Sequence, residues 1–154
     1  GAHRMNVPRE LAEYKLERAE IVVYLPADWN ISDHEEKNYW PLRWLKILAR
    51  LPLEEDSWLG WGHSVPNGKP FAENTQLSSV LLINPENVEE GAAVCQLPNG
   101  EEVNFYQMIP LYEEEVNFKI QNGAETLLGK MGEISAVVDI HRLNVCEGFG
   151  RPKE

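Results

Sequence analysis

Few residues of this sequence have a type and spacing suited to catalysis, and His63 beside Ser64 is the first pair to consider. An imidazole next to a hydroxyl is the arrangement of a base-activated nucleophile. Neighbouring residues of a strand point to opposite faces, so this spacing would separate the two side chains. The sequence also lacks the Gly-x-Ser-x-Gly turn of a hydrolase nucleophile. We therefore interpret His63 as a hydrogen-bonded structural or interface residue and assign no catalytic residue.

Metal and nucleotide sites have recognisable spacings, and this sequence does not contain them. Its 4 histidines and 2 cysteines form no His-Glu-x-x-His and no Cys-x-x-Cys. Gly60 and Gly62 begin like a dinucleotide fingerprint, but the third glycine is missing and turn residues follow where a helix is required. We expect no cofactor and no metal. A carboxylate pair among the 25 acidic residues could still act as acid and base, so an enzyme of unknown class stays an alternative.

The segment that carries His63 contains 4 of the 5 tryptophans of the sequence and starts with an amphipathic pattern. Apolar residues recur at helical spacing from Trp40 to Leu51, which predicts a helix that buries this face. Pro41 suits the first turn of that helix, and Pro52 is predicted to end it. A strand is then predicted from Trp58 to Val65. Clustered tryptophans also occur on binding surfaces, but helical spacing favours a core.

Apolar runs separated by turn residues predict the remaining elements. Asn99-Gly100 between two such runs indicates a hairpin. An unbroken apolar run predicts a central strand at Ala19–Leu25. The other predicted strands are Ser78–Asn84, Gly91–Leu97 and Glu101–Leu111, with helices at Tyr112–Gln121 and Ala124–Met131 and extended segments at Ile134–Ile140 and Arg142–Val145. This order predicts a single α+β domain, in which helices cover a mixed β-sheet.

The net charge of the sequence limits the kinds of macromolecule that it is expected to bind. The sequence has 154 residues, with 14 Lys and Arg against 25 Asp and Glu, and a formal net charge of −11. This balance disfavours nucleic acid and anionic membranes, and it favours a basic protein. The sequence contains no apolar run long enough to span a bilayer and no secretory signal, so we expect a cytoplasmic protein. Cys95 and Cys146 are then expected as free thiols, with one disulfide as the alternative.

Three blocks of the sequence resemble the suppressor of fused domain family, and most closely its bacterial branch. They are WPLRWLKILARLPLEEDSWLGWGHSVPNG, VNFYQMIPLYEEEVNFKIQNGAETLL and VVDIHRLNV. The resemblance places the domain at residues 5–146 and leaves 147–154 as a flexible tail. Family domains usually carry a further strand-rich segment before the position of Met5, so either the sequence starts inside the domain or this member is short.

The resemblance implies a protein-binding function without catalysis. Bacterial members are encoded beside polymorphic toxins and are thought to neutralise them as immunity proteins. A regulatory or scaffolding module that binds a peptide by strand addition is the alternative. We predict the partner-binding segment at the end of a strand and the turn after it, at His63, Ser64, Asn67 and Gly68.

Overall fold

A computed structural model describes residues 4–86, 93–132 and 137–150 of the chain. A short 3-10 helix, Arg9–Tyr14, precedes the first strand. The strands are β1 (Arg18–Val22), β2 (Ser64–Pro66), β3 (Ser79–Ile83), β4 (Val94–Gln96) and β5 (Glu102–Leu111). The helices are α1 (Glu36–Glu54), α2 (Glu113–Asn122) and α3 (Ala124–Met131).

The five strands form one mixed sheet in the order β1-β5-β3-β2, and β4 also pairs with β5. β1 runs parallel to β5, whereas β4 is antiparallel to β5 and β2 is antiparallel to β3. The predicted hairpin is confirmed: Gly100 adopts a φ of 85°, and the backbone N–H of Leu97 donates to the Glu101 carbonyl at 2.8 Å. The predicted α+β class with a mixed sheet is therefore confirmed.

The residues group into two compact units, and each contains buried apolar residues. One comprises Gly1–Val23, Pro41–His63 and Leu82–Met108, and the other comprises Tyr24–Trp40, Ser64–Leu81 and Ile109–Glu154. In the first unit the buried apolar residues include Trp44, Leu48, Leu59, Leu82 and Met108. In the second they include Trp40, Phe71, Leu77, Leu111 and Leu127.

The prediction that Ala19–Leu25 forms a central strand is wrong. β1 covers only Arg18–Val22 and lies at one end of the sheet order, and all five of its residues are half-buried. Arg18 and Glu20 alternate with the apolar residues here, and such alternation suits a strand with one wet face better than a strand covered on both faces.

The helix that carries the tryptophans is longer than predicted. It begins at Glu36, so Pro41 lies beyond the first turn, and it continues past Pro52 to Glu54. The backbone N–H of Glu55 still donates to the Leu51 carbonyl at 2.9 Å. Pro52 is buried in the last turn, where its missing N–H removes one bond, to the carbonyl four residues earlier, and the helix ends two residues later. The predicted apolar face is confirmed at Trp40, Trp44 and Leu48, which are all buried.

The predicted strand from Trp58 to Val65 is also mostly wrong, because the strand formed here, β2, covers only Ser64–Pro66. Trp61 and Gly62 form a turn, with Gly62 at a φ of 81°. The backbone N–H of His63 donates to the Gly60 carbonyl at 3.2 Å, which closes this turn. Hydrogen bonds to β3 continue through this turn, as in a β-bulge, because the backbone N–H of Gly62 donates to the Leu82 carbonyl at 2.7 Å and that of Leu82 donates to the His63 carbonyl at 2.9 Å. A glycine at positive φ suits such a bulge.

The predicted extended segments near the end of the chain are not strands where the structure describes them. Residues 137–150 contain bends and turns without a β-strand, and residues 134–136 of the first segment lie outside the described part of the chain. Side-chain and turn hydrogen bonds take the place of strand pairing here.

Candidate protein-binding site

Ser64, Asn67 and Gly68 lie at the end of the sheet, as the predicted site requires. β2 is the last strand of the sheet order, and in the described part of the chain it pairs with β3 alone. The backbone N–H of Asn67 donates to the Ser78 carbonyl at 2.8 Å, and its side-chain amide donates to the Lys69 carbonyl at 2.7 Å. Gly68 is exposed and adopts a φ of 84°, which a side chain would strain.

The outer edge of β2 offers few backbone groups. Hydrogen-bonded and non-hydrogen-bonded pairs alternate along antiparallel strands. Since Asn67 bonds to the partner strand, Ser64 and Pro66 are the residues whose backbone groups face away from β3. Proline has no N–H, so Ser64 supplies the outward donor of β2. An added strand would therefore meet one donor and two carbonyl acceptors at this edge.

The side chains of Ser64 and His63, like that of Asn67, have structural partners. The Ser64 hydroxyl accepts a hydrogen bond from Lys119 Nζ of α2 at 3.0 Å, and burial lowers the pKa of Lys119. His63 Nδ1 accepts the Gly60 backbone N–H at 3.1 Å, and its ring packs edge-on against Trp58 with 4.5 Å between centroids. His63 therefore stabilises its own turn, as its structural interpretation predicts.

A groove opens where β2 ends. It has a volume of about 560 Å³. We call it the Leu143 groove, and its lining comprises Pro66, Gly68, Lys69, Pro70, Gln76, Ser78, Ser79, Tyr112, Glu113, Glu114, Arg142, Leu143, Asn144 and Glu147. It thus joins the end of the terminal strand to the first turn of α2 and to the loop after Arg142.

One side of the Leu143 groove is organised by a buried ion pair between Glu115 and Arg142. Their side chains are 0% and 4% exposed, and Arg142 Nη1 donates to Glu115 Oε2 at 2.7 Å. The Glu115 carboxylate also accepts the backbone N–H groups of Tyr112, at 2.8 Å, and Val145, at 3.1 Å. Arg142 Nη2 donates to the Pro110 carbonyl at 2.9 Å. Each charge therefore has both an opposite charge and backbone partners, which a buried ion pair requires.

No local sequence pattern predicts this pair. Glu115 shares the first turn of α2 with Glu113 and Glu114, where carboxylates complement the positive end of the helix dipole, but only Glu113 of the three is exposed. Arg142 lies in a segment whose pattern predicts only an extended backbone. A basic residue in the block VVDIHRLNV, opposite an acidic helix start, is the one signal that could have suggested the pairing.

Two further cavities are lined by no residue of β2. One, of about 620 Å³, is lined by residues that include Trp29, Asp28, Asp139 and Lys37. The other, of about 260 Å³, is lined mainly by apolar residues of β1 and α1. His63 lines none of the three cavities, so the hypothesis of an enzyme gains no support from it. Over residues 4–86, 93–132 and 137–150, no group of three or more His, Cys, Asp or Glu is placed to hold a metal ion.

The two cysteines are free thiols, Cys95 exposed and Cys146 buried, as expected. Burial raises the pKa of Cys146. Among the helices of the described residues, none has the length and apolarity needed to cross a membrane.

A comparison with protein-family models identifies one family. The family model described as suppressor of fused protein (SUFU) matches residues 1–143. The sequence is 28% identical over 127 residues to Uncharacterized protein UU111 of Ureaplasma parvum serovar 3, covering 82% of this chain and 62% of that protein. The chain thus spans somewhat less than two thirds of that relative.

Three solved structures share the fold over 70% of this chain. The structure of a Sufu–Fu complex matches with a TM-score of 0.58 at 16% identity, over 46% of that chain. Drosophila Suppressor of Fused matches with a TM-score of 0.58 at 16% identity, over 25% of its chain. A SUFU homolog from Neisseria gonorrhoeae FA 1090 matches with a TM-score of 0.55 at 21% identity, over 57% of its chain.

Proposed function

Because this chain belongs to the suppressor of fused protein family, we propose that it is a non-enzymatic protein-binding domain that neutralises a cognate bacterial toxin as its immunity protein. The family is a protein-binding one. The observation that carries the proposal is the terminal strand β2, which leads directly into the Leu143 groove. A sheet edge beside a groove can supply main-chain hydrogen bonds and side-chain pockets to one extended segment.

Charge supports a toxin with a basic surface. The formal charge of −11 would attract such a partner over long range and accelerate its association. Acidic proteins need no such partner to be soluble, so charge supports the proposal and does not carry it. We place the encounter in the cytoplasm, where a toxin that enters or is made there would act.

Co-purification with the product of an adjacent toxin-like gene tests the proposal. We expect a complex at sub-micromolar concentration and rescue of growth when both genes are expressed. A toxin that stays lethal in the presence of the folded protein, with no complex at micromolar concentration, would contradict an immunity role.

A regulatory or scaffolding module is the second candidate, and the open edge of β2 favours it. It would bind a peptide by strand addition without inhibiting any toxin. A partner that binds but whose toxicity or activity is unchanged would favour this candidate over the first.

The binding mode common to both candidates has a sharp test at Ser64. Ser64→Pro removes the outward donor of β2, whereas Ser64→Ala removes only the hydroxyl that Lys119 contacts. We expect the proline variant to lose partner binding and the alanine variant to retain it, with circular dichroism confirming that both fold. Exchange of the Ser64 amide proton should also slow in the complex. Unchanged exchange would place the partner elsewhere.

A further inference from the structure

The loop between Arg142 and Val145 holds an apolar side chain in solvent. Leu143 is 83% exposed and lines the Leu143 groove. Its exposed fraction is the highest among the large apolar residues of the described ranges 4–86, 93–132 and 137–150. A single exposed leucine needs no explanation by itself, because folded proteins expose much apolar surface. The attachment of its neighbours is what sets this leucine apart.

Residues on both sides of Leu143 are attached to the first turn of α2. Arg142 is bound through its buried ion pair with Glu115. The Asn144 side-chain amide donates to Glu114 Oε2 at 2.8 Å, and the Val145 backbone N–H donates to Glu115 at 3.1 Å. Arg142 Nη1 also donates to the Leu143 carbonyl at 2.9 Å. The backbone of Leu143 is therefore held in place while its side chain stays in water.

A fixed backbone lowers the entropy lost when the side chain is covered by a partner. Interface residues that dominate affinity are usually apolar or aromatic anchors beside groups that exclude water. Leu143 has this arrangement: Pro66 and Pro70 line the same groove and offer rigid apolar surface. A partner's apolar side chain could be enclosed between Leu143 and these prolines without reordering the loop.

The charged side chains that line the groove determine which charge on a bound segment would be complementary. Glu113 and Glu147 are exposed, and no ion pair joins either to another residue of the described part of the chain. Arg142 is neutralised by Glu115, which leaves Lys69 as the exposed cation among the lining residues. Carboxylates therefore outnumber cations on the rim, and a lysine or arginine of the occupant would be complementary.

We propose that the Leu143 groove binds an extended protein segment in which a basic residue lies two positions from an apolar one, so that both side chains point to the same face. The apolar side chain packs against Leu143, and the basic side chain pairs with Glu113 and Glu147. This rests on the proposed protein-binding function, since the segment would continue from a strand added at β2. It adds the sequence class of the segment, which strand addition alone does not specify.

A peptide titration tests the groove without knowledge of the natural partner. The probe is the acetylated, amidated peptide Gly-Ser-Lys-Ser-Leu-Ser-Lys-Gly, in which Lys and Leu share one face when the chain is extended. Its binding is followed by amide chemical shifts of the isotope-labelled protein. We expect saturable shifts at Gly68, Lys69, Glu113 and Leu143. The same peptide with glutamate for lysine, or with serine for leucine, should bind at least about tenfold more weakly. Absence of groove shifts, or equal affinity of the three peptides, would overturn the proposal.

Matched variants distinguish binding in the groove from an effect of net charge and from non-specific apolar contact elsewhere on the surface. Glu113→Gln/Glu147→Gln should weaken binding of the Lys-Ser-Leu peptide about three- to tenfold, as expected for two exposed ion pairs. Glu10→Gln/Glu13→Gln removes the same charge from the exposed 3-10 helix and should change affinity less than twofold. Leu143→Ser should weaken binding about tenfold, whereas Leu53→Ser, at a leucine 65% exposed on α1, should not. Equal effects of test and control variants would refute the assignment.

The two proposals fail in different ways. If the toxin is not neutralised but the peptide titrates as expected, the immunity role is wrong and the groove stands. If the toxin binds while the groove variants and peptides behave like their controls, protein binding stands and the groove is wrong.

Discussion

Replacement of Arg142 by methionine should destabilise the fold strongly. Methionine keeps much of the length and packing of the side chain but removes the guanidinium. Glu115, with a fully buried side chain, would then keep its two backbone donors and lose its counter-charge. The Pro110 carbonyl would lose its arginine donor as well. Removal of one partner from a buried ion pair typically costs about 3–5 kcal/mol.

That cost is large beside the total stability of a domain, which is typically about 5–15 kcal/mol. For a chain of this length it corresponds to a fall in Tm of about 6–20 °C. Urea unfolding followed by tryptophan fluorescence measures it, with the slope m checked for constancy. Arg50→Met is the matched control: Arg50 is exposed on α1, so the same substitution there should change stability by no more than about 0.5 kcal/mol.

A double-mutant cycle separates the contribution of the ion pair to stability from that of side-chain packing. Glu115→Gln should also be costly, because it leaves the Arg142 guanidinium buried without a counter-charge. The double variant contains neither charge, so it should cost less than the sum of the two, with a coupling energy of about 2–3 kcal/mol. Additive costs, or a cost for Arg142→Met below about 1 kcal/mol, would refute the view that this pair organises the loop and the groove beside it.

Three further predictions concern other parts of the chain. Hydrogen bonds from Arg4 and Arg18 lower the pKa of Glu101 to about 2 from 4.5, so the stability that this carboxylate contributes is complete above pH 4.5 and is lost as pH falls towards 2. Over that range the Tm should therefore fall less in Glu101→Gln than in the natural sequence. An identical fall of Tm with pH in both proteins would contradict this. Cys95 is exposed and should react with a thiol reagent in the folded protein. Cys146 is 6% exposed and burial raises its pKa, so it should react only when the protein opens. Equal rates of modification of the two thiols would contradict this. Trp40 is 1% exposed and stacks on Phe71, so Trp40→Ala should lower the free energy of unfolding in urea by about 3–5 kcal/mol. Trp61 is 39% exposed, so Trp61→Ala should lower it by less than about 1 kcal/mol. Similar losses of stability in the two variants would show that burial does not set the cost.

Local signals predicted the elements whose formation depends on local chemistry. The hairpin at Gly100 and helix α3 follow the predicted positions because turn glycines and helical spacing act over a few residues. The edge position of β1 and the shortness of β2 were not predictable in this way. Strand order depends on which distant strand offers a partner, and an apolar run does not show whether one or two partners exist.

The same limit applies to the site. The turn chemistry of Asn67 and Gly68 marked the end of a strand correctly, because those residues favour turns for reasons of their own backbone. The pairing of Glu115 with Arg142 joins residues that are 27 positions apart, and no local pattern specifies it. Sequence therefore located the edge strand but not the groove beside it.

The edge strand and the groove contribute differently to recognition, and each is insufficient alone. β2 is short, and Pro66 removes a donor from it, so main-chain pairing at this edge offers few hydrogen bonds and little sequence preference. Such an edge resists promiscuous pairing but also binds a true partner weakly. The Leu143 groove can supply the missing affinity through side chains, because its loop is already fixed by Glu115 and Arg142. Loss of that ion pair should therefore weaken partner binding even in a variant that still folds. A similarly destabilising change in the other unit, such as Trp44→Ala at a buried tryptophan, expected to cost about 3–5 kcal/mol, should not.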